Sequence, residues 1–393
     1  MTKTFIVSTA RTPIGKLSGS LASFSGAQLG GLAITAALQR AGLDPAQVDH
    51  VIMGQVLQAG AGQNPARQAA SDGGIPMTTP AVTVNKVCLS GLYSIHLAEQ
   101  MIRTGEAGVV IAGGMESMTN APYLLPGARA GYRLGDAAVV DGLIRDGLWC
   151  AFDDRHMGAA TDGYAERSHV ARRDQDEFAA WSHERAATAV KEGRFDAEIV
   201  GVEVPQRKGP AILVESDEGI RPGTTAESLS HLKPAFSPQG TITAGNASQL
   251  SDGAAAVIVV SEAKLAELGL VARAELVGYG MVAGPDPSLL TQPSAAIMRA
   301  LHSAGLTTDD VELFEINEAF AVVALASMSD LGISPAVVNI NGGAIALGHP
   351  IGMSGTRLAI TMVEELNRRG GGLGAVALCG GGGQGDAALL KVA

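Results

Sequence analysis

Two cysteines, far apart in the chain, each lie where a predicted strand gives way to a turn rich in glycine or serine. Cys88 follows the apolar run 81–84 and precedes a helical pattern over 92–102, so we expect it at a helix N-terminus. There the helix dipole can lower the pKa of a thiol from ~8.5 toward neutrality. Cys379 ends a second apolar run, and the glycines 380–383 after it let the backbone approach a ligand closely. The pattern predicts chemistry at sulfur, with Cys88 as a nucleophile.

Two other polar side chains follow predicted strands. Asn317 comes after the run 313–316, and His349 lies in a glycine-rich loop beyond a predicted strand at 337–341. Because sites in open α/β sheets gather at the carboxyl ends of strands, these groups can converge with the cysteines on one cleft. A thiolate, a base and fixed donors for an oxyanion are what nucleophilic catalysis requires.

The elements that would position these residues occur twice. Residues 34–48 resemble residues 297–311 without a gap, and both segments are predicted to contain a helix ending in Ala-Gly-Leu. Later in each half, a Ser-Gly pair opens a helix that leads to an apolar strand, at Ser90 and again at Ser354. Strands alternating with helices predict an α/β fold of two related halves, with a largely parallel sheet buried on both faces.

The segment between the halves has a different composition. It contains both tryptophans, many charged residues and several prolines, which indicates an inserted domain. Its clearest helix is predicted to start near Asp174, with Glu177 placed for a capping box, and to stop at Gly193. A buried strand at 253–260 then returns the chain to the first half. The predicted boundaries are 1–120 plus 250–271 for the first half, 121–249 for the insertion and 272–393 for the second half.

Composition excludes several function classes. A chain of 393 residues with 46% hydrophobic content and three cysteines is typical of a globular protein without a disulfide framework, so we expect a cytoplasmic location. Cys150 is interpreted as a buried structural thiol. We expect neither a secretory signal nor a membrane span, since runs such as 254–260 are too short. The net charge of -11 disfavours nucleic-acid binding.

Each candidate residue also has a simpler interpretation. A lone cysteine is usually a small buried apolar residue, and Asn317 with its neighbour could be a helix cap. His156, between arginine and methionine, could be structural. Ser248 could only cap a turn, and Arg221 could be a solvated surface charge.

Two other kinds of site are excluded. Gly380, Gly382 and Gly385 have the spacing of a dinucleotide-binding turn, but the eight residues that follow Gly385 leave no room for the rest of such a unit. The histidines and cysteines are scattered without zinc spacing, so no metal site is predicted.

Four motifs together carry a resemblance that covers nearly the whole chain. Their residues are Asn85-Lys86-Val87-Cys88-Leu89-Ser90-Gly91, Asn317-Glu318-Ala319-Phe320, Gly342-Gly343-Ala344-Ile345-Ala346-Leu347-Gly348-His349-Pro350 and Cys379-Gly380-Gly381-Gly382-Gly383-Gln384-Gly385. In this order they resemble the nucleophile, water-holding, histidine and second-cysteine motifs of the thiolase family. The resemblance implies two similar αβα halves that form a five-layer αβαβα sandwich, with a loop domain that binds coenzyme A.

The same resemblance implies a reaction and roles in it. Cys88 would carry an acetyl group, His349 would accept the proton of Cys88, and Cys379 would remove an α-proton from a second acetyl-CoA. Asn317 would hold a water that stabilises the enolate together with His349, and the N–H groups of Cys88 and Gly381 would form a second oxyanion pocket. Coenzyme A thioesters would be substrates, with no cofactor. Family members are dimers or tetramers, and a homotetramer built as a dimer of dimers is expected.

The segment His156-Met157-Gly158, with 85–88 and 115–123, resembles the short-chain, acetoacetyl-CoA branch. This implies acetyl-CoA, acetoacetyl-CoA and CoA as ligands. By resemblance, His156 and Met157 contact the pantetheine and acyl region, Leu148 and Ser248 make further coenzyme contacts, and Arg221 lies near the nucleotide. At the position of Gln249, directly after Ser248, several short-chain members have a smaller or different residue.

Three alternative functions remain open. A longer-chain 3-oxoacyl-CoA thiolase of fatty-acid β-oxidation is the nearest. A carrier-protein condensing enzyme would typically have histidine in place of Cys379. A noncatalytic acyl-CoA-binding relative would lack one of the reactive residues.

Overall fold

The computed structural model describes residues 2–393, in which two α/β halves share one large mixed sheet. The first half comprises β1 (Thr4–Arg11), β2 (Gly15–Lys16), α1 (Gly26–Ala41), β3 (His50–Gly54), α2 (Pro65–Asp72), β4 (Ala81–Val84), α3 (Ser90–Thr104) and β5 (Val109–Ser117). The intervening segment comprises β6 (Tyr123–Leu124), β7 (Val140–Asp141), β8 (Trp149–Cys150), β9 (Arg155–His156), α4 (Met157–Ala165), α5 (Arg172–Lys191), β10 (Val202–Val204), β11 (Ile212–Val214) and α6 (Ala226–Ser230). The remainder comprises β12 (Ser251–Ser261), α7 (Glu262–Glu267), β13 (Ala274–Ala283), α8 (Gln292–Ala304), β14 (Leu313–Ile316), α9 (Ala321–Leu331), α10 (Ala344–Leu347), α11 (Ser354–Arg369), β15 (Gly372–Gly380) and β16 (Gln384–Val392). Short 3₁₀ helices lie at Pro45–Gln47, Ala128–Ala130, Thr308–Asp310 and Pro335–Val337, and a π-helix lies at Leu143–Leu148.

The strand order of the large sheet is β14-β15-β16-β13-β1-β12-β5-β3-β4, with β2 beside β12. Pairing is parallel within β4-β3-β5 and between β14 and β15, and antiparallel elsewhere along this path. The prediction of a largely parallel sheet is therefore wrong. The reason is that β12 enters between β1 and β5 in the opposite direction, and β16 folds back on β15 as a hairpin. Burial on both faces is confirmed, since every residue of β5 and β12 is buried.

Among the described residues, the strands of the two halves are joined only at two residue pairs between β1 and β13, so they form two sheet layers. Helices form three further layers, which gives the five-layer αβαβα sandwich. Helices α1 and α2 cover the outer face of the first half, and α8 covers that of the second. Helices α3 and α11 lie between the halves and contact each other. Glycine makes this close contact possible, because a Cβ on Gly355 would lie 2.3 Å from the backbone N of Leu92.

The duplicated segments fold alike. Residues 34–48 contain the end of α1 and a 3₁₀ helix, and residues 297–311 contain the end of α8 and another 3₁₀ helix. Both α-helices end at a left-handed glycine, Gly42 with φ 61° and Gly305 with φ 70°. The sequence repeat is therefore also a structural repeat.

Two local predictions are wrong. The predicted strand at 337–341 forms one β-bridge, Phe314 to Val338, because Asn339 turns the chain with a φ of 46°. The Asn339 amide instead bonds both the N–H and the C=O of Ile316, each at 2.8 Å. Helix α5 begins at Arg172, and Asp174, not Glu177, accepts the hydrogen bond from the capping N–H.

Within residues 2–393, no helix is both long enough and apolar enough to cross a bilayer.

Candidate active site

Cys88 lies in a tight turn between β4 and α3, two residues before the helix begins. Asn85 Oδ1 accepts a hydrogen bond from the N–H of Val87 at 2.9 Å, and Ser90 Oγ donates to the Val87 carbonyl at 2.6 Å. These bonds hold Val87 in the left-handed region, with a φ of 52°, which is unusual for a β-branched residue. The turn before the sulfur is therefore fixed by its neighbours.

Burial controls the chemistry of the Cys88 thiol. Burial raises its pKa to about 12, although hydrogen bonds from the backbone N–H groups of Cys88 and Gly381 act in the opposite direction. The expectation that the helix dipole lowers this pKa is wrong in this structure, because loss of solvation outweighs it. Forming the thiolate therefore requires a nearby proton acceptor.

His349 has the position and protonation state of such an acceptor. Its Nδ1 lies 2.6 Å from Ser354 Oγ, and that hydroxyl donates to the carbonyl of Pro350. Nδ1 must then be the donor, which leaves Nε2 unprotonated and able to accept a proton. Burial and the positive charge of Arg357 lower the pKa of His349 to about 3, so the ring is neutral at physiological pH.

Asn317 directly follows β14, and its N–H bonds the carbonyl of Ala377 at 2.9 Å. Its Nδ2 lies 3.4 Å from His349 Nε2, while its fully buried Oδ1 has no partner among the described residues. Such an acceptor is available to a ligand or a water. The helix-cap interpretation is wrong, because α9 begins at Ala321 with Phe320 in the capping position.

Cys379 is the penultimate residue of β15, opposite Gly385 on β16. Only 1% of it is exposed, and its pKa is raised by burial and by the nearby Cys88 sulfur. Cys88, His349 and Cys379 all line one narrow chamber of about 50 Å³. Reactive residues from both halves therefore line the same chamber.

A second cavity, of about 340 Å³, adjoins this chamber. Six residues line both: Leu148, His156, Ser248, Phe320, His349 and Ile351. This shared wall consists of three apolar side chains and three polar ones, and small-molecule sites likewise combine apolar surface with a few placed polar groups. An elongated ligand could occupy the wider cavity and place one end at the sulfurs.

Comparison with known proteins agrees with this arrangement. Residues 4–263 match the family model described as Thiolase, N-terminal domain, and residues 270–392 match Thiolase, C-terminal domain. The chain belongs to the thiolase family.

The thiolase relatives match over their full length. A probable acetyl-CoA acetyltransferase of Mycolicibacterium smegmatis is 57% identical, over 98% of this chain and 100% of the relative. The acetyl-CoA acetyltransferase of Cupriavidus necator is 51% identical over 100% of both chains, and that of Pseudomonas aeruginosa is 51% identical over 98% of both.

The other residues predicted from the thiolase resemblance lie at three kinds of position. Leu148, His156, Met157 and Ser248 line the chamber beside the sulfurs. Arg221 is exposed and reaches Gln249 Oε1 at 3.4 Å, and Gln249 lines the wider cavity. Gly381 is outside the chamber but directs its N–H at the Cys88 sulfur.

His156 combines the structural and the ligand-facing interpretations. Its Nδ1 accepts a hydrogen bond from the N–H of Gly158 at 3.1 Å and so caps α4. Its ring stacks on Phe236 with centroids 4.7 Å apart, and burial lowers its pKa. A neutral, stacked ring in the chamber wall is suited to contact with an apolar ligand chain.

Some site residues were missed from the sequence. Leu289, Phe320 and Ile351 line the chamber, and Ser354 orients His349. Phe320 closes the motif that begins at Asn317, and Ser354 opens the helix after His349, so both were within reach of the motif analysis. Leu289 lies in a loop with no motif to indicate it.

Among residues 2–393 no three histidine, cysteine, aspartate or glutamate side chains are placed to hold an ion.

Proposed function

We propose that this thiolase is an acetyl-CoA acetyltransferase, an acyltransferase that condenses two acetyl-CoA into acetoacetyl-CoA and CoA and catalyses the reverse cleavage. The observation that carries the proposal is the chamber of about 50 Å³ that Cys88, His349 and Cys379 line together. Full-length relatives named for this activity support the same conclusion.

The first half-reaction transfers the acetyl group to Cys88. Nε2 of His349 accepts the thiol proton, and the thiolate attacks the thioester carbonyl. The bond from carbon to the CoA sulfur breaks, and CoA leaves with the proton that His349 held. Because His349 is neutral and its Nδ1 bonds Ser354, its unprotonated Nε2 supports this role. The N–H groups of Cys88 and Gly381 would stabilise the tetrahedral oxyanion.

The second half-reaction forms the carbon-carbon bond. The thiolate form of Cys379 removes an α-proton from a second acetyl-CoA and becomes the thiol. The carbanion attacks the acetyl carbon on Cys88, the bond from that carbon to the Cys88 sulfur breaks, and the departing Cys88 thiolate takes the proton from Cys379. The enolate oxygen needs fixed donors, which His349 and a water on Asn317 would supply. The unpartnered Oδ1 of Asn317 supports the water-holding role. In thiolysis the same steps run in reverse.

Residues 121–249 are proposed as the loop domain that binds coenzyme A, inserted between a first half of residues 1–120 plus 250–271 and a second half of residues 272–393. Leu148, His156, Met157 and Ser248 would contact the pantetheine and acyl region, because they line the chamber or its shared wall. Arg221 is exposed and contacts Gln249, which lines the wider cavity, so Arg221 would lie near the nucleotide.

Finer points are proposed from family resemblance and from the composition of the sequence. The ligands would be acetyl-CoA, acetoacetyl-CoA and CoA, used as substrates without a cofactor. The chain would form a homotetramer and function in the cytoplasm, without nucleic-acid or membrane partners.

The test is CoA-dependent cleavage of acetoacetyl-CoA beside a 3-oxoacyl-CoA of intermediate length, with wild type and Cys88→Ser. Rapid cleavage of acetoacetyl-CoA alone, lost in the variant, is expected. Cys150→Ser is the matched control, since Cys150 is buried but lines neither the chamber nor the adjoining cavity. Preference for the longer substrate would assign the chain to the degradative alternative, and cleavage of neither would overturn the proposal.

A further inference from the structure

A buried ion pair joins the turn that carries Cys88 to the hairpin that carries Cys379. Lys86 Nζ lies 2.7 Å from Oδ1 and 2.8 Å from Oδ2 of Asp386, so one ammonium contacts both carboxylate oxygens. The Asp386 side chain is fully buried, and 19% of the Lys86 side chain is exposed. The two residues are 300 positions apart and belong to different halves.

Asp386 is placed by strand register. It pairs with Leu378 across β15 and β16, and the next pair is Cys379 with Gly385. Side chains alternate between faces along a strand, so Asp386 lies on the Leu378 face, opposite to the face that presents the Cys379 sulfur. Asp386 therefore approaches the Cys88 turn from behind the chamber.

Other side chains fix the pair from both halves. Tyr279 on β13 donates its hydroxyl to Asp386 Oδ2 at 2.8 Å, and its ring stacks on that of His96 on α3 at 3.9 Å. Lys86 Nζ lies 4.5 Å from the ring centroid of Tyr93, also on α3. The carboxylate thus keeps two donors while its own side chain is fully buried.

The turn itself needs such an anchor. Lys86 is adjacent to Val87, whose backbone is in the strained left-handed region, and two residues before Cys88. A strained conformation persists only where its surroundings fix it. On the same face of the hairpin, Gly380 leaves room for Leu89, since a Cβ there would lie 2.6 Å from Leu89 Cγ. Contacts on both sides of Cys88 therefore attach the turn to the hairpin.

We infer that Asp386 is a positioning residue that acts through Lys86 to set the separation and alignment of the two sulfurs. The inference rests on the proposed function. It has a specific consequence, because acetyl transfer between CoA and Cys88 uses one sulfur and the oxyanion pocket that includes the Gly381 N–H, but not the Cys379 sulfur. Carbon-carbon bond formation and cleavage need both sulfurs aligned on one substrate, and small misplacement of reacting groups can cost ~10²-fold in rate.

The experiment compares two rates in each variant. Exchange of labelled CoA into acetyl-CoA uses Cys88 and its oxyanion pocket without the Cys379 sulfur, and thiolysis of acetoacetyl-CoA needs both sulfurs. For Asp386→Asn we expect thiolysis to fall by about 10-fold or more relative to exchange, because a displaced hairpin also moves the Gly381 N–H but misaligns the two sulfurs more severely. Lys86→Gln should show the same split, and the double variant should be no worse than the more impaired single variant.

Glu364→Gln is the matched control, because Glu364 is also buried and pairs with a partly exposed base, Arg273. Its melting temperature should fall while the ratio of thiolysis to exchange stays at the wild-type value. Lys86→Arg keeps the charge and should recover much of the lost thiolysis. If Asp386→Asn does not fold, Lys86→Gln and Lys86→Arg decide the outcome, since Lys86 is partly exposed.

Several results would overturn the inference. Equal losses of exchange and thiolysis would indicate a purely structural ion pair. Independent, multiplying losses in the double variant would show that Asp386 does not act through Lys86. If the wild type performs neither exchange nor thiolysis, the proposed function fails first, which is distinct from failure of the positioning role in an active wild type.

Discussion

Ser354 Oγ lies 2.6 Å from His349 Nδ1 and donates its own proton to the Pro350 carbonyl, so the start of α11 sets which nitrogen of His349 carries hydrogen. Ser354 is 2% exposed and His349 6% exposed, and few other groups can therefore replace this bond. The helix that packs between the halves also holds the base toward the chamber. The Ser354 hydroxyl therefore connects the position of α11 with the protonation of His349.

Ser354→Ala should reduce turnover while leaving substrate binding nearly intact. Without the hydroxyl, Nδ1 has no acceptor and the ring loses its preference for the tautomer with a free Nε2. We expect kcat for thiolysis to fall by ~10²-fold, the lower end of what proton transfer by a positioned base contributes, with little change in KM. Steady-state kinetics measure both constants. Ser303→Ala, an exposed serine on α8, is the control, and an unchanged kcat in Ser354→Ala would contradict the role of Ser354.

The same histidine should make folding stability depend on pH. The pKa of His349 is lowered from 6.5 to about 3 in the folded protein, mainly by burial. Below pH 6.5 the unfolded chain therefore binds a proton that the folded chain does not, and stability falls as pH decreases toward 3. At pH 5 this contribution amounts to about 2 kcal/mol of unfolding free energy.

In His349→Gln that contribution should be absent, so the loss of unfolding free energy between pH 7 and pH 5 should be about 2 kcal/mol smaller than in wild type. Urea unfolding at the two pH values measures the difference. His183, whose pKa is lowered to about 4 by burial and by Arg221, acts with the same sign and remains in both proteins. The exposed His231→Gln serves as control. Identical pH dependence in wild type and His349→Gln would refute the prediction.

Local patterns in the sequence were sufficient for much of the fold and for the reactive residues. The strand at 313–316 has the predicted bounds. The repeat of 34–48 at 297–311 is confirmed as a pair of similar helices. These features depend on short-range periodicity and on glycines that end helices. The converging positions of Cys88 and Cys379 follow because both lie at the ends of strands.

The features that the sequence did not predict depend on contacts between distant segments. The direction of β12 and β16 is decided by which neighbours they meet, and composition does not encode it. The pKa of Cys88 is raised because the whole fold buries it, which outweighs the local helix dipole. Lys86 and Asp386 carry no sign of their pairing, since 300 positions separate them.

Gly380→Ala tests how tightly the hairpin fits the Cys88 turn. A Cβ at Gly380 would lie 2.6 Å from Leu89 Cγ and 2.8 Å from its Cδ1, and Leu89 is fully buried and cannot move into solvent. The methyl group must push the turn away from the hairpin, which we expect to cost about 1–3 kcal/mol of stability. Thiolysis should fall more steeply than this loss of folded protein explains, because the displaced turn carries Cys88.

Gly163→Ala is the matched control for adding one methyl group. Gly163 is inside α4, where the nearest atom to a new Cβ is the flexible Arg155 Nη1 at 3.6 Å. Alanine there should stabilise the protein by about 0.5–1 kcal/mol, because glycine loses more backbone freedom in a helix. Thermal melts should therefore show that the two variants change stability in opposite directions. Thiolysis assays are made on both variants. A Gly380→Ala protein with wild-type thiolysis would show that the turn tolerates displacement, and that the alignment of the sulfurs does not depend on this contact.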